Sequence, residues 1–122
     1  MKAIELLNDS LKLMGYTDVN SNSGITQKIK NNAIITVNLV YSDLWKVFNE
    51  KPFEPIKSLT DEIKLPLQMP TDVFLYGLAM HIARSENDGD QQQFYTYLYN
   101  SKRAGLTVMT KVKNIIPRGG DR

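Results

Sequence analysis

The side chains able to do chemistry are few and scattered. The single histidine, His81, lies in the run Val73–Ala83, which is apolar almost all round. Met80 and Ile82 beside it offer no ligand, and there is no second imidazole or thiolate to share a zinc ion with it. A hydrogen-bonded core histidine is therefore the expectation. Glu86, Asp88 and Asp90 cluster around Gly89. They lack the spacing and terminal glutamate of a calcium-binding EF-hand loop, and helix capping is the use that fits them. Gly119-Gly120 precedes no helix and makes no phosphate cradle. No Gly-x-Ser-x-Gly elbow occurs, and there is no cysteine for a disulfide, a thiolate nucleophile or a thiolate metal site. The reading is a protein that is not an enzyme and needs no cofactor.

The aromatic and basic residues are more informative. On a helix at about 100° per residue, Phe94, Tyr95, Tyr97, Leu98 and Tyr99 span roughly 200° of circumference, wider than the ~100° stripe that one core needs. Such a helix is either sandwiched inside its own domain or presents Tyr95 and Tyr99 to a partner, where a tyrosine offers apolar area and a polar tip. Stacking on single-stranded bases fits less well, because the basic residues follow the tyrosines and do not alternate with them. Trp45 is out of register with Leu44 and Phe48; it either packs under the Pro52–Pro55 loop or anchors a partner. Residues 1–101 hold 9 basic and 12 acidic side chains, whereas 102–122 carry Lys102, Arg103, Lys111, Lys113, Arg118 and Arg122 against Asp121 alone. That basic stretch is either a solvated helix end with a tail or a contact for nucleic acid or an acidic protein surface. The candidate interface is accordingly Trp45, Tyr95, Tyr99, Lys102, Arg103, Lys111, Lys113 and Arg118.

The elements that must position these residues read as helices. Ile4, Leu7, Leu11 and Met14 mark one face of a first helix, and Gly15 is placed to cap it. Tyr16–Gly24 is a polar loop. Residues 25–49 form one long helix on the spacing of Ile29, Ala33, Val37, Val40, Leu44 and Phe48, stopped by Pro52 and Pro55. Ile63, Leu65, Leu67 and Met69 alternate with polar residues and Pro66, which suggests an extended arm, an edge strand or a small hairpin with an earlier part of 52–62. Pro70 and Asp72 open a third helix central to the core, where Gly77 calls for a closely packed neighbour. A fourth helix starts near Asp90 and ends at Gly105 or near Val112. The fold class is all-α, a bundle of about four helices with a short extended segment between the second and third. One domain covers 1–113, and 114–122 are a flexible basic tail.

The 122 residues suit one domain, large enough to fold without metal or disulfide. Apolar residues are 42% and charged residues 23%, the balance of a globular and not a disordered chain. No run approaches the ~20 apolar residues of a membrane span, and Glu5, Asn8, Asp9 and Lys12 interrupt any signal-peptide core. A protein used in a reducing cytoplasm, or assembled there, is expected.

The segment Leu65–Ala83 (LPLQMPTDVFLYGLAMHIA) resembles the middle of small phage head–tail connector proteins, also called neck or head-completion proteins. Gly89–Gly105 (GDQQQFYTYLYNSKRAG) is similar to their following helix, and the order and size of the earlier helices fit as well. The resemblance implies a non-enzymatic virion protein. Its copies would form a ring docked on the portal, bound to tail or stopper proteins, around the channel that DNA traverses. It implies the host cytoplasm during assembly and the head–tail junction afterwards, with no membrane. No individual site residue carries over. The basic C-terminal region is compatible with contact to a neighbouring ring or to DNA. On this reading the 50–66 arm or residues 106–122 become ordered on assembly. The alternative is a small nucleic-acid-binding regulator using residues 102–118, opposed by the acidic balance of the first 101 residues.

Overall fold

A computed structural model describes residues 1–16, 24–48, 52–65 and 69–120, with side chains for all but 24–26 and 108–120. Five helices occur among them: α1 (Ala3–Leu13), α2 (Gly24–Asn31), α3 (Ala33–Phe48), α4 (Thr71–Ser85) and α5 (Gly89–Gly120), with no strand among the described residues. The chain is an all-α bundle, as its periodicity requires.

The centre is α4, packed against α1, α3 and α5. Val73, Phe74, Leu78, Ala79, Ile82 and Ala83 are all buried, each large apolar side chain stabilising the fold by about 1.5–3 kcal/mol. One cluster joins Phe74 and Leu78 to Leu6, Val37, Val40, Leu44, Tyr99 and Leu106. A second joins Ile82 to Leu7, Leu11, Ile29 and Ala33. Ser10, buried between Leu6 and Leu11, donates its hydroxyl to the Leu75 carbonyl at 3.0 Å and so is satisfied.

Local chemistry sets the helix ends. Gly15, at φ 88°, closes α1: its N–H donates to the Lys12 carbonyl and that of Tyr16 to Leu11. Asn87, at φ 57°, closes α4 in the same way, with Asn87 N–H on Arg84 and Asp88 N–H on Ala83. Both are Schellman-type ends, and both use a residue that tolerates the left-handed region.

Three expectations are corrected. The long helix over 25–49 is two helices broken at Asn32. The Asn32 Nδ2 donates to the Lys28 carbonyl at 3.3 Å, and its N–H turns to Ile29 at 3.2 Å. The Asn32 carbonyl then accepts from Thr36 N–H and starts α3. An asparagine that competes for backbone partners interrupts a helix, while Ile29 and Ala33 keep the apolar period because both helices face the same cluster.

The segment 52–65 forms no hairpin. Its carbonyls serve α1 instead: Ala3 N–H donates to Asp61 and Ile4 N–H to Leu59, supplying acceptors for donors that every helix start leaves over. A single antiparallel bridge pairs Lys2 with Glu62. The segment is also fastened to α3. Asn38 clamps both backbone groups of Ile56, at 2.8 and 3.1 Å, and the Tyr41 hydroxyl accepts from Lys64 N–H at 2.9 Å. Of the alternating apolar residues of that arm, Ile63, Leu65 and Met69 pack against the main cluster, and Leu67 lies outside the described residues.

The last helix ends neither at Gly105 nor near Val112. Its backbone is helical to Gly120. Gly105 does not stop it because Leu106, the next residue, is buried in the core and commits the backbone on that side. Pro117 lies in the final turns, where its missing N–H costs one ladder bond and its ring crowds the carbonyl four residues before it.

Candidate interaction surface

The aromatic face of α5 divides sharply. Tyr95 and Tyr99 are 6% and 5% exposed, whereas Phe94 and Tyr97 are 57% and 70% exposed. Of the two readings of this helix, Tyr95 and Tyr99 follow the one in which they are sandwiched inside their own domain. Their burial has a cause on α4. Tyr76 stacks on Tyr95 with ring centroids 6.3 Å apart. Gly77 leaves a slot that the Tyr99 ring fills: a β-carbon there would sit 2.8 Å from both Tyr99 Cε1 and Val40 Cγ1. Gly77 was the sequence signal for this slot, but nothing in the sequence said which residue enters it.

The polar tip of Tyr99 is used internally. Its hydroxyl donates to Asp43 Oδ2 at 2.5 Å, and Arg103 Nε donates to the same oxygen at 2.7 Å. These charge-assisted bonds tie α3 to α5. Burial first, and then Asp43, push the Tyr99 phenol far above its ordinary range. Lys102 Nζ lies 3.2 Å from Asp72, tying α5 to α4. Thus Lys102 and Arg103, expected to meet a partner, both have acidic partners in their own chain. The side chains of Lys111, Lys113 and Arg118 lie outside the described residues. Asp43 was missed in the sequence reading; its only signal there was that it is the one acid of α3.

Trp45 is partly buried. Its ring meets Tyr41 and Phe53 at centroid distances of 5.9 and 6.3 Å, which is the packing under the Pro52–Pro55 loop. It lines an open depression of about 770 Å³ with Pro52, Pro55, Lys57, Glu62 and Lys64. Charges of both signs rim this depression, with no convergent set of polar groups to define a ligand.

His81 is half-buried, with Nδ1 3.2 Å from Arg84 Nη2. Desolvation and then Arg84 push its pKa down, with Asp43 opposing. In the acidic turn, Asp88 caps α5: its Oδ1 accepts from Gln91 N–H at 3.1 Å and its Oδ2 from Gln91 Nε2 at 2.8 Å. Glu86 faces Lys28 at 3.8 Å. Among the described residues no group of three or more His, Asp or Glu side chains is placed to share a metal ion.

Exposed apolar area gathers on two helices, with Met1 and Leu13 exposed singly elsewhere. Ile35 and Leu39 on α3 are 65% and 47% exposed, one turn apart, with Ile34 beside them. Phe94 and Tyr97 form a second patch on α5. No helix among the described residues is long and apolar enough to cross a membrane. No protein-family model, no curated protein and no solved structure matches this chain.

Proposed function

We propose that this chain is a structural virion assembly protein, a phage head–tail connector whose copies form a ring on the portal and join head to tail. The observation that carries the reading is the pair of apolar patches, Ile35–Leu39 and Phe94–Tyr97, left outside a bundle whose core is already filled. The resemblance of Leu65–Ala83 and Gly89–Gly105 to connector proteins supports it. The interface shifts from Tyr95 and Tyr99 to Phe94 and Tyr97, residues on the opposite side of the same helix. The protein then works by association with itself, the portal and tail or stopper proteins, and resides at the head–tail junction. Mass photometry and electron microscopy of the protein mixed with its portal test this. A ring on the portal is expected; a portal that stays bare under conditions that support virion assembly overturns the reading.

The nucleic-acid regulator is disfavoured by a specific observation. Two of its contact residues, Lys102 and Arg103, already pair with Asp72 and Asp43. Gel shifts at two salt concentrations separate the readings, since phosphate contacts give a steep salt dependence.

A further inference from the structure

The two exposed apolar patches belong to one face of the molecule. Tyr41 meets Phe74, Val40 lies against Gly77, and Ala33 shares a cluster with Ile82, so α3 runs antiparallel to α4. Tyr95 meets Tyr76, Tyr99 lies against Gly77, and Lys102 pairs with Asp72, so α5 is antiparallel to α4 as well. α3 and α5 are therefore parallel neighbours, joined where Asp43 accepts from Tyr99 and Arg103. At about 100° per residue, the turn on α3 that leads from Val40 to Asp43, toward α5, continues to Leu39 and Ile35. The turn on α5 that leads from Tyr99 to Arg103, toward α3, continues through Asn100 to Tyr97 and then Phe94. The face of the α3–α5 pair turned away from α4 thus carries the exposed Leu39 and Tyr97, with Ile35 and Phe94 at its margins.

The two stripes also sit at the same height along their helices. Asp43 bonds residues 56 and 60 positions further on. Ile35 and Phe94 are 59 positions apart, and Leu39 and Tyr97 are 58 apart. The face is uncharged besides. Residues 31–42 and 91–101 contain no Asp, Glu, Lys or Arg, in a chain that is 23% charged. Depletion of charge around exposed aromatic and aliphatic side chains marks the core of a protein interface. An anionic lipid surface or a nucleic acid would find no cation on these stretches to hold it.

We infer that this face binds a second copy of the chain about a two-fold axis parallel to the helices. Such an axis keeps every residue at its height and exchanges left for right. The aliphatic stripe of each α3 then lands on the aromatic pair of the other copy's α5, twice over. A face that contains both halves of its own match selects a second copy over an unrelated partner, and with no charge on either stripe the two copies meet without like-charge repulsion. The exposed parts of Ile35, Leu39, Phe94 and Tyr97 offer roughly 400–500 Å² per copy. A stable interface takes about 800 Å² per partner, so the four side chains supply its apolar centre, and exposed polar neighbours such as Gln93 and Asn100 extend it. The contact is isologous and closes at two copies. It goes beyond the connector reading and does not rest on it; where that reading holds, the pair is the form free of the portal, and it opens before a ring uses these patches.

The test uses the full chain and three variants, L39K, Y97E and, as a control exposed outside this face, L13K. Far-UV circular dichroism checks that all keep the wild-type helix content. By sedimentation velocity the wild type is expected to go from monomer to dimer as concentration rises, no less so at high salt, because the contact is apolar. L39K and Y97E are each expected to need at least a tenfold higher concentration to pair, and L13K the same concentration as the wild type. An equimolar mixture of L39K and Y97E brings opposite charges together at one of the two crossed contacts and leaves the other native, so it should dimerise more tightly than either variant alone. A wild type that stays monomeric, assembles beyond two copies or comes apart in salt overturns the inference. So do L39K and Y97E variants that pair like the wild type, or a mixture no tighter than its components. The portal-binding measurement decides the connector reading separately, since a portal left bare by a protein that dimerises as expected sinks that reading alone.

Discussion

Gly77 of α4 and Tyr99 of α5 are in contact with no room between them: a β-carbon on the glycine would fall 2.8 Å from the tyrosine ring and equally close to Val40 of α3. Three helices meet at a residue without a side chain. Gly77→Ala should therefore destabilise the protein by about 1–2 kcal/mol, because overpacking outweighs the ~1 kcal/mol that alanine gains in helix propensity. Gly105 is the control. It too is helical, but nothing lies within 4 Å of a β-carbon there. Gly105→Ala should stabilise by about 0.5–1 kcal/mol. Thermal and urea denaturation of the two variants should move in opposite directions.

Asp43 holds two donors, the Tyr99 hydroxyl and the Arg103 guanidinium, on one carboxylate oxygen. Asp43→Ala leaves a buried phenol without its acceptor and should cost about 1–2 kcal/mol, a figure kept low because Asp43 and Arg103 are each about a third exposed and screened by solvent. Tyr99→Phe removes one bond and should cost about 1 kcal/mol. If the cluster acts as a unit, the double variant D43A/Y99F should lose less than the sum of the singles in a denaturation cycle.

The sequence was most legible where structure is local. Gly15 ends α1 and Asp88 caps α5 through neighbours within five residues, so residue type alone announced them. Gly77 likewise demanded a close neighbour. The break at Asn32 was hidden because Ile29 and Ala33 carry the apolar period across it into one cluster. The aromatic helix was only half legible, for another reason. Its circumference was too wide for one core, but the width cannot say which half turns inward. That choice rests on Gly77 and Asp43, on two other helices, and it put Tyr95 and Tyr99 inside and left Phe94 and Tyr97 out.

His81 should make stability fall in acid. Its folded pKa lies below the ordinary histidine value, chiefly through burial. The unfolded chain therefore takes up a proton first as pH drops, and stability is full above the unfolded pKa near 6.5 and is lost as pH falls toward the folded value. His81→Gln should flatten the dependence of the denaturation midpoint on pH as pH falls below about 7. Tyr99 has the opposite sign in alkali. Its folded pKa is raised, so above pH ~10 the unfolded chain ionises while the folded one does not, and stability falls with rising pH. Tyr99→Phe should remove that loss.

Asn38 is the residue on which the 52–65 segment most depends. Its amide reproduces a strand partner for Ile56, giving one N–H and taking another. Ile56 itself is buried in the main cluster, and the same segment supplies the carbonyls that cap α1. Asn38→Ala removes two hydrogen bonds at once and should cost about 1–3 kcal/mol. Asn38→Asp keeps the acceptor for Ile56 N–H and turns the donor into a second acceptor facing the Ile56 carbonyl, so it should be as harmful or worse. Hydrogen exchange can locate the effect. Faster exchange is expected at Ile56 and Ile63 and in the first turn of α1, with α4 near Leu78 unchanged until global unfolding. Uniform acceleration across the chain would mean instead that the segment has no separate opening, and that Asn38 acts only through the stability of the whole bundle.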